Sequence, residues 1–409
     1  MNVDAQARPT QADQRARIAG AALFLTNGAL FANLVPRFPE IKAGIGIDNA
    51  IYGLALAAFP TGAFLAGLAS AVLIRRFGSA RVAVVGTVLT GLGALSAGVA
   101  PSAVVFMVGL FFTGSMDAIT DVALHVHGMR VQRRHGRSLM NSFHAVWSVG
   151  AILGGSMSAG AIALGLPVDA HLGLSAAIFS TVSLISLRSC LSGQEELTKN
   201  VATTHAGRRS TPPRARVGSW TMIMVAALAL IAIAGTSVED AGNSWAGVYL
   251  SDSLQAPAAL AATGYIALVG GQFLGRVFGD RLVDHFGQRA VARVGGVITL
   301  VGMAPALVFP TVPGTILGFG LAGLGVATLV PAALNEADEL PGLRPGTGLT
   351  VVSWLLRLGF LLCPPLVGFI ADATELRFGL LVVPVMGALT IVLAGVLRGR
   401  PVHLSARPG

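Results

Sequence analysis

The chain has few charged side chains, few aromatic ones and only two cysteines. Charged residues fill 11% of its 409 positions, whereas an ordinary soluble domain carries about 25%. With 54% hydrophobic residues, a chain of this length cannot hide its apolar side chains in one water-soluble core. The composition therefore excludes a soluble enzyme and a disordered protein. Because Cys190 and Cys363 lie in or beside apolar segments, the two cysteines imply neither a disulfide framework nor a thiolate metal cluster.

Long apolar runs take the place of the missing charges. A helix needs about 20 mostly apolar residues to cross a bilayer. The runs do not alternate every second residue, as β-barrel strands would. The sequence therefore predicts an all-α polytopic membrane protein with 12 transmembrane helices. The predicted spans are roughly 18–38, 50–73, 82–100, 103–127, 139–165, 171–191, 219–247, 258–280, 291–310, 314–335, 347–371 and 376–397.

The basic residues of the chain lie on one side of these spans. If the N-terminus is cytosolic, 23 of the 28 Lys and Arg fall in cytosolic segments. This bias predicts that both termini lie in the cytosol. The expected location of the protein is the plasma membrane, the inner membrane of a bacterium. The net charge of +9 therefore reflects the orientation of the protein in the membrane. The basic residues are expected to contact anionic lipid headgroups, and nucleic-acid binding is not expected.

The chain divides into two similar halves. The polar stretch 192–218 has no apolar periodicity and is predicted to be a cytosolic linker between halves 1–191 and 219–409. At an offset of 209 residues, 13 of the 32 positions in 62–93 are identical to those in 271–302. The sequence therefore predicts two six-helix halves inserted in the same sense, as in transporters that alternate access to a site between halves.

The loop after the second span of each half carries a recognisable motif. It is a degraded form of Gly-x-x-x-Asp-Arg-x-Gly-Arg-Arg, the signature of the major facilitator superfamily, which the chain resembles over essentially its whole length. The second half keeps the Asp, the second Gly and one Arg, whereas Arg75 stands where the first half should have the Asp. The resemblance implies a major facilitator fold and a cytosolic gate formed by Arg75, Arg76, Gly78, Arg81, Asp280, Asp284, Gly287 and Arg289.

Three further segments are similar to the YbjJ-type inner-membrane proteins, a branch like fucose permease. They are Asp-Val-Ala-Leu at 121–124, Asn-Ser-Phe-His-Ala at 141–145 and Ser-Trp-Ala-Gly-Val-Tyr-Leu at 244–250. This resemblance implies a sugar-like or other small polar substrate and coupling to protons.

Acidic residues within spans are candidates for carrying a proton. Asp117 and Asp121 are four residues apart on one helix face, and the repeat places Val326 and Val330 at the equivalent positions. Two carboxylates so close in a low dielectric cannot both ionise cheaply, so one is expected to hold a proton. A structural ion pair with Arg130 or Arg357 is the alternative.

Glu239 completes the predicted proton-coupling set. It lies late in a run that is too long for one straight span, and this length predicts a break near Gly235 or Gly242. Broken helices line binding cavities, so Glu239 is expected in the cavity unless it marks the outer end of the helix in water.

Amides, imidazoles and indoles within spans suit a polyhydroxylated solute, because hydroxyls need both donors and acceptors. For any one Asn the alternative is helix–helix hydrogen bonding, and for His144 it is packing. The predicted substrate-binding residues are Asn27, Asn33, Asn141, His144, Trp147, Asn243, Trp245, Gln272, Trp354 and Arg357.

The leading functional prediction is a monomeric secondary transporter of a small solute with proton symport, without cofactor or metal. The first alternative is proton-driven efflux of a drug or natural product. A membrane enzyme or sensor would need a nucleophile, a metal set or a further soluble domain, and the longest loop carries none of them. A channel would need a selectivity-filter-like element, which no span contains.

Overall fold

The structure is a computed structural model that describes residues 10–136, 139–191, 218–343 and 346–399. Helices long and apolar enough to cross a membrane account for nearly all of these residues. Within these residues there are 12 such helices and no strand, which confirms the predicted fold class. They are α1 Gln11–Ile45, α2 Asn49–Gly67, α3 Ser79–Gly98, α4 Ala103–His135, α5 Ser142–Ala163, α6 Val168–Leu187, α7 Ser219–Ser253, α8 Ala258–Phe286, α9 Gln288–Val308, α10 Val312–Asp338, α11 Thr347–Ala373 and α12 Leu376–Val396.

The chain folds into two compact units. One comprises Met1–Pro213 with Pro257–Thr263, and the other comprises Arg214–Ala256 with Gly264–Gly409. The predicted linker 192–218 lies outside the described residues, apart from Gly218.

Many large apolar side chains are exposed at the surface of the helices. Val108 and Leu68 in the first unit are 62% and 70% exposed, and Val301 in the second is 60% exposed. Such a surface is stable only in an apolar solvent, so the lipid bilayer is the medium of this protein.

The two units repeat the same helix contact at the offset of 209 residues. A Cβ added to Gly62 would lie 2.1 Å from the carbonyl oxygen of Phe111, and one added to Gly271 would lie 2.1 Å from that of Gly320. Position 271 is the repeat of 62, and 320 is the repeat of 111. The crossing of α2 on α4 is therefore reproduced by α8 on α10, because glycine lets the two backbones meet.

The motif loops also share one backbone conformation. Gly78 has φ +84° and Gly287 has φ +81°, a region that glycine adopts without strain. The amide of Gly78 donates to the carbonyl of Ile74, as that of Gly287 does to Val283, both at 2.8 Å. The loops differ in what precedes them, since Ser70–Phe77 is a separate short helix whereas α8 runs unbroken to Phe286.

The predicted break near Gly235 or Gly242 is wrong. The α-helix is continuous from Ser219 to Val248, and its irregular part is a π-helical turn at Tyr249–Ser253. The two glycines serve packing instead: a Cβ at Gly242 would lie 2.5 Å from the Leu268 side chain, and one at Gly235 would lie 3.3 Å from Val330.

Candidate functional site

The polar residues of the first unit meet where α1, α4 and α5 pack together. α1 and α5 approach closely, because a Cβ at Gly28 would lie 2.2 Å from the carbonyl oxygen of Trp147, and one at Gly150 would lie 2.2 Å from that of Leu25. At this separation a short side chain on α1 can reach the indole of Trp147 on α5. The small residues therefore position the polar ones.

Asn27 links α4 and α5 through both ends of its amide. Its Nδ2 donates to Asp117 Oδ1 at 2.9 Å, and its Oδ1 accepts from Trp147 Nε1 at 2.9 Å. The indole nitrogen can only donate, so it faces the amide oxygen and the amide nitrogen faces the carboxyl group. Asn27 is buried, whereas Asp117 and Trp147 are half-buried. The structure thus brings three of the predicted site residues into one hydrogen-bonded chain.

A second polar group lies on the same face of α4. His125 Nδ1 is 2.8 Å from the backbone oxygen of Asp121 and 3.4 Å from its Oδ1, and its Nε2 is 3.1 Å from Nε2 of His144. Phe24 of α1 packs edge-on against both imidazoles, with ring centroids 5.7 and 5.8 Å away. His125 was not among the predicted site residues, although its place four residues after Asp121 is the signal that could have included it.

His127 faces away from this group. It is buried, and its Nδ1 lies 3.5 Å from Ser79 Oγ on α3. Within the described part of the chain, no three or more His, Cys, Asp or Glu residues are arranged to hold a metal ion.

Asp240 is the buried acid of the second unit. Its side chain is 9% exposed, Ser244 Oγ donates to its Oδ1 at 3.4 Å, and its Oδ2 has no hydrogen-bond partner among the described residues. The thiol of Cys363 on α11 lies beside this carboxyl group and donates to the carbonyl of Ser237 at 3.3 Å. Glu239, which the sequence analysis selected, is half-buried. Because adjacent side chains of a helix point in different directions, the sequence alone could not tell whether Glu239 or Asp240 faces the interior.

The other predicted substrate residues are placed in different surroundings. Asn33 is fully buried, donates to the carbonyl of Ala29 at 2.8 Å and accepts from His171 Nε2 at 2.9 Å. In the second unit Trp245 and Gln272 are buried, Asn243 is half-buried, and Trp354 and Arg357 are exposed. The side chain of Asn141 lies outside the described residues.

The predicted gate residues occupy the ends of the helices around the two motif loops. Arg75, Arg76, Arg81, Asp280 and Asp284 are exposed. Arg289 is also exposed, and its Nε donates to the carbonyl of Leu397 at 3.0 Å, which attaches the end of α12 to the motif loop.

Arg398 extends this attachment to α10. Its Nε lies 3.1 Å from Glu336 Oε1, and it also pairs with Glu339. The charge of Glu336, assisted by Glu339, raises the pKa of Arg398 above its usual value.

Two family models cover most of the sequence between them. A model described as Major Facilitator Superfamily matches residues 228–409, and one described as Transmembrane secretion effector matches residues 7–210. An uncharacterised transporter of Sinorhizobium fredii is 27% identical over 92% of this chain and 97% of its own length. The membrane protein MosC of Rhizobium meliloti is 27% identical over 94% of this chain and 90% of its own length.

Solved structures with the same fold belong to several transporters. The D-xylose–proton symporter has a TM-score of 0.72 at 14% identity, covering 93% of this chain and 96% of that one. The nucleoside transporter NupG has a TM-score of 0.69 at 11% identity, covering 94% and 98%. The fold, the matches to both halves and the alignments over nearly the whole chain place this protein among the transporters of the major facilitator superfamily, a family of non-enzymes.

Proposed function

We propose that this transporter couples the movement of a small, polar, sugar-like solute to protons, and that Asp117 carries the proton. The observation that carries the proposal is the hydrogen bond from Asn27 Nδ2 to Asp117 Oδ1, which holds a carboxyl group within a membrane span. The proposal also agrees with the resemblance to the YbjJ-type and fucose-permease-like branch.

The cost of a charge inside the membrane gives Asp117 a reason to bind and release a proton. An ionised side chain at the centre of a span costs about 2.5–3.5 kcal/mol. Asp121 lies one turn along α4, about 6 Å further on, and its charge adds repulsion. The Asn27 amide can donate to Oδ1 in either protonation state, because a protonated carboxyl group keeps an acceptor oxygen. The network can therefore survive the gain and loss of a proton.

The chemistry of the neighbouring groups favours a solute with several hydroxyls. Asp117 and Asp121 can accept from hydroxyl donors, and the half-buried face of Trp147 can pack against a sugar ring. His144 is exposed and offers an imidazole to the same solute.

Transport in proteoliposomes tests the proton-coupling role. Wild type and Asp117→Asn would be reconstituted, and uptake of a panel of sugars and other polyhydroxylated solutes would be measured with and without an imposed pH gradient. We expect Asp117→Asn to abolish accumulation against the gradient but to retain equilibrium exchange, because the amide resembles the protonated acid.

Asp169→Asn is the matched control, since it makes the same chemical change at an exposed carboxylate near the start of α6. The control should accumulate solute like wild type. If a folded Asp117→Asn protein accumulates solute at the wild-type rate and with the wild-type pH profile, Asp117 is not the proton carrier.

Proton-driven efflux is the second candidate function. It is favoured by the match of residues 7–210 to the Transmembrane secretion effector model. The same proteoliposomes distinguish the two candidates: an exporter expels an apolar dye against a gradient and ignores sugars, whereas the proposed symporter does the reverse.

A further inference from the structure

The imidazoles of His125 and His144 face each other between two helices. Their Nε2 atoms are 3.1 Å apart and their ring planes are inclined by 48°. We propose that this pair binds one divalent late transition-metal ion, such as Zn²⁺, Ni²⁺ or Cu²⁺, which links α4 to α5. The site does not depend on the proposed proton coupling or on the identity of the solute.

The hydrogen bonds of His125 present a metal-binding lone pair. A carbonyl oxygen can only accept, so the contact of Nδ1 with the backbone oxygen of Asp121 requires the ring proton on Nδ1. Neutral His125 therefore has an unprotonated Nε2 directed at His144. Metal-binding histidines usually donate their other ring N–H to a carbonyl or carboxylate, and Asp121 offers both, with its Oδ1 3.4 Å from Nδ1.

The spacing of the two nitrogens suits a shared ion. Two nitrogens at about 2.0–2.1 Å from a tetrahedral Zn²⁺ lie about 3.3 Å from each other, close to the observed 3.1 Å. Without metal, His144 donates its Nε2 proton to His125. When the ion binds, His144 takes the tautomer with its proton on Nδ1, so that both Nε2 lone pairs face the metal and no net proton is released.

The position of the pair allows an ion to enter from the water and to complete its coordination with water, because His144 is the third residue of the span Ser142–Ala163 and lies near its end. Neither imidazole is enclosed by protein, since the His125 side chain is 35% exposed and His144 is also exposed. Imidazole nitrogen favours Zn²⁺, Ni²⁺ and Cu²⁺ over Mg²⁺ and Ca²⁺, which prefer oxygen ligands. With two protein ligands, binding should be reversible and weaker than at a structural site with four. An ion that joins α4 and α5 beside Asp121 would restrain both helices and inhibit transport.

Direct metal binding to the purified full-length protein, after removal of any affinity tag, tests the site. Zn²⁺ would be titrated calorimetrically into wild type, His125→Gln, His144→Gln and the double variant. We expect one site in wild type, with affinity lowered at least about tenfold in each single variant, because loss of a ligand costs no less than loss of a residue that only orients one. Cu²⁺ electron paramagnetic resonance should show two coordinated nitrogens in wild type and one or none in the single variants.

His127→Gln is the matched control, because His127 lies on the same helix but faces Ser79. It should bind Zn²⁺ like wild type. His144→Asn replaces His144→Gln if the latter does not purify as a monodisperse protein. The proposal is overturned if wild type binds no ion, or if the double variant binds as tightly as wild type. Because no transport is measured, neither result bears on the role of Asp117.

Discussion

At the scale of single residues, Asn27 of α1 joins a side chain of α4 to a side chain of α5. One buried amide satisfies the indole N–H of Trp147 and donates to Asp117, so the position of the carboxyl group depends on a side chain of another helix. A buried donor that loses its partner costs about 1–3 kcal/mol, so the network also stabilises the contact of α1 with α5.

A double-mutant cycle between Asn27 and Trp147 should measure this contact. Asn27→Ala and Trp147→Phe each remove the bond from Nε1 to Oδ1, and Phe keeps an aromatic ring in place. We expect a coupling free energy of about 0.5–1.5 kcal/mol from the shift in thermal or denaturant-induced unfolding. Additive effects of the two substitutions would show that the bond contributes nothing to stability.

At the scale of helices, small residues decide which side chains meet. The crossing of α8 on α10 is so close that a Cβ at Gly271 would lie 2.1 Å from the Gly320 carbonyl oxygen, whereas a Cβ at the adjacent Gly270 would meet no atom within 4 Å. Of these two adjacent glycines, only Gly271 is therefore required by the close contact between the helices.

Alanine substitutions at these two positions should change the free energy of unfolding differently. Gly271→Ala forces the helices apart and should lower the free energy of unfolding by about 1–3 kcal/mol. Gly270→Ala should leave it unchanged or raise it by up to about 1 kcal/mol, because alanine is the better helix former. Thermal unfolding in detergent measures both, and equal destabilisation would contradict the close crossing.

At the scale of the whole molecule, the distribution of Lys and Arg predicts the orientation in the membrane. With 23 of 28 basic residues in segments on one side, both termini should face the cytosol. The internal repeat requires both halves to be inserted in the same sense. Six spans per half allow this, because a half with an even number of spans begins and ends on the same side of the membrane.

Reporter fusions at the two termini test this orientation. Green fluorescent protein at either end should fluoresce, and alkaline phosphatase at either end should be inactive, because neither end is exported. An alkaline phosphatase inserted at Gly165, between α5 and α6, is the control and should be active. The opposite pattern would reverse the predicted topology.

The amino-acid sequence by itself determined the solvent, the number of spans, the class of fold and the repeat. These properties follow from hydrophobicity and residue spacing summed along the chain, and they need no knowledge of which helices touch. Local pattern was enough to select Asp117, Asn27 and Trp147 as candidates, but it did not join them. It also expected a break in α7 where Gly235 and Gly242 instead serve packing. Only the tertiary structure decided that Asp240 rather than Glu239 is the more buried acid, and that His125 meets His144. The direction of a side chain depends on the rotation of its helix against its neighbours, which is set by close contacts between residues far apart in sequence.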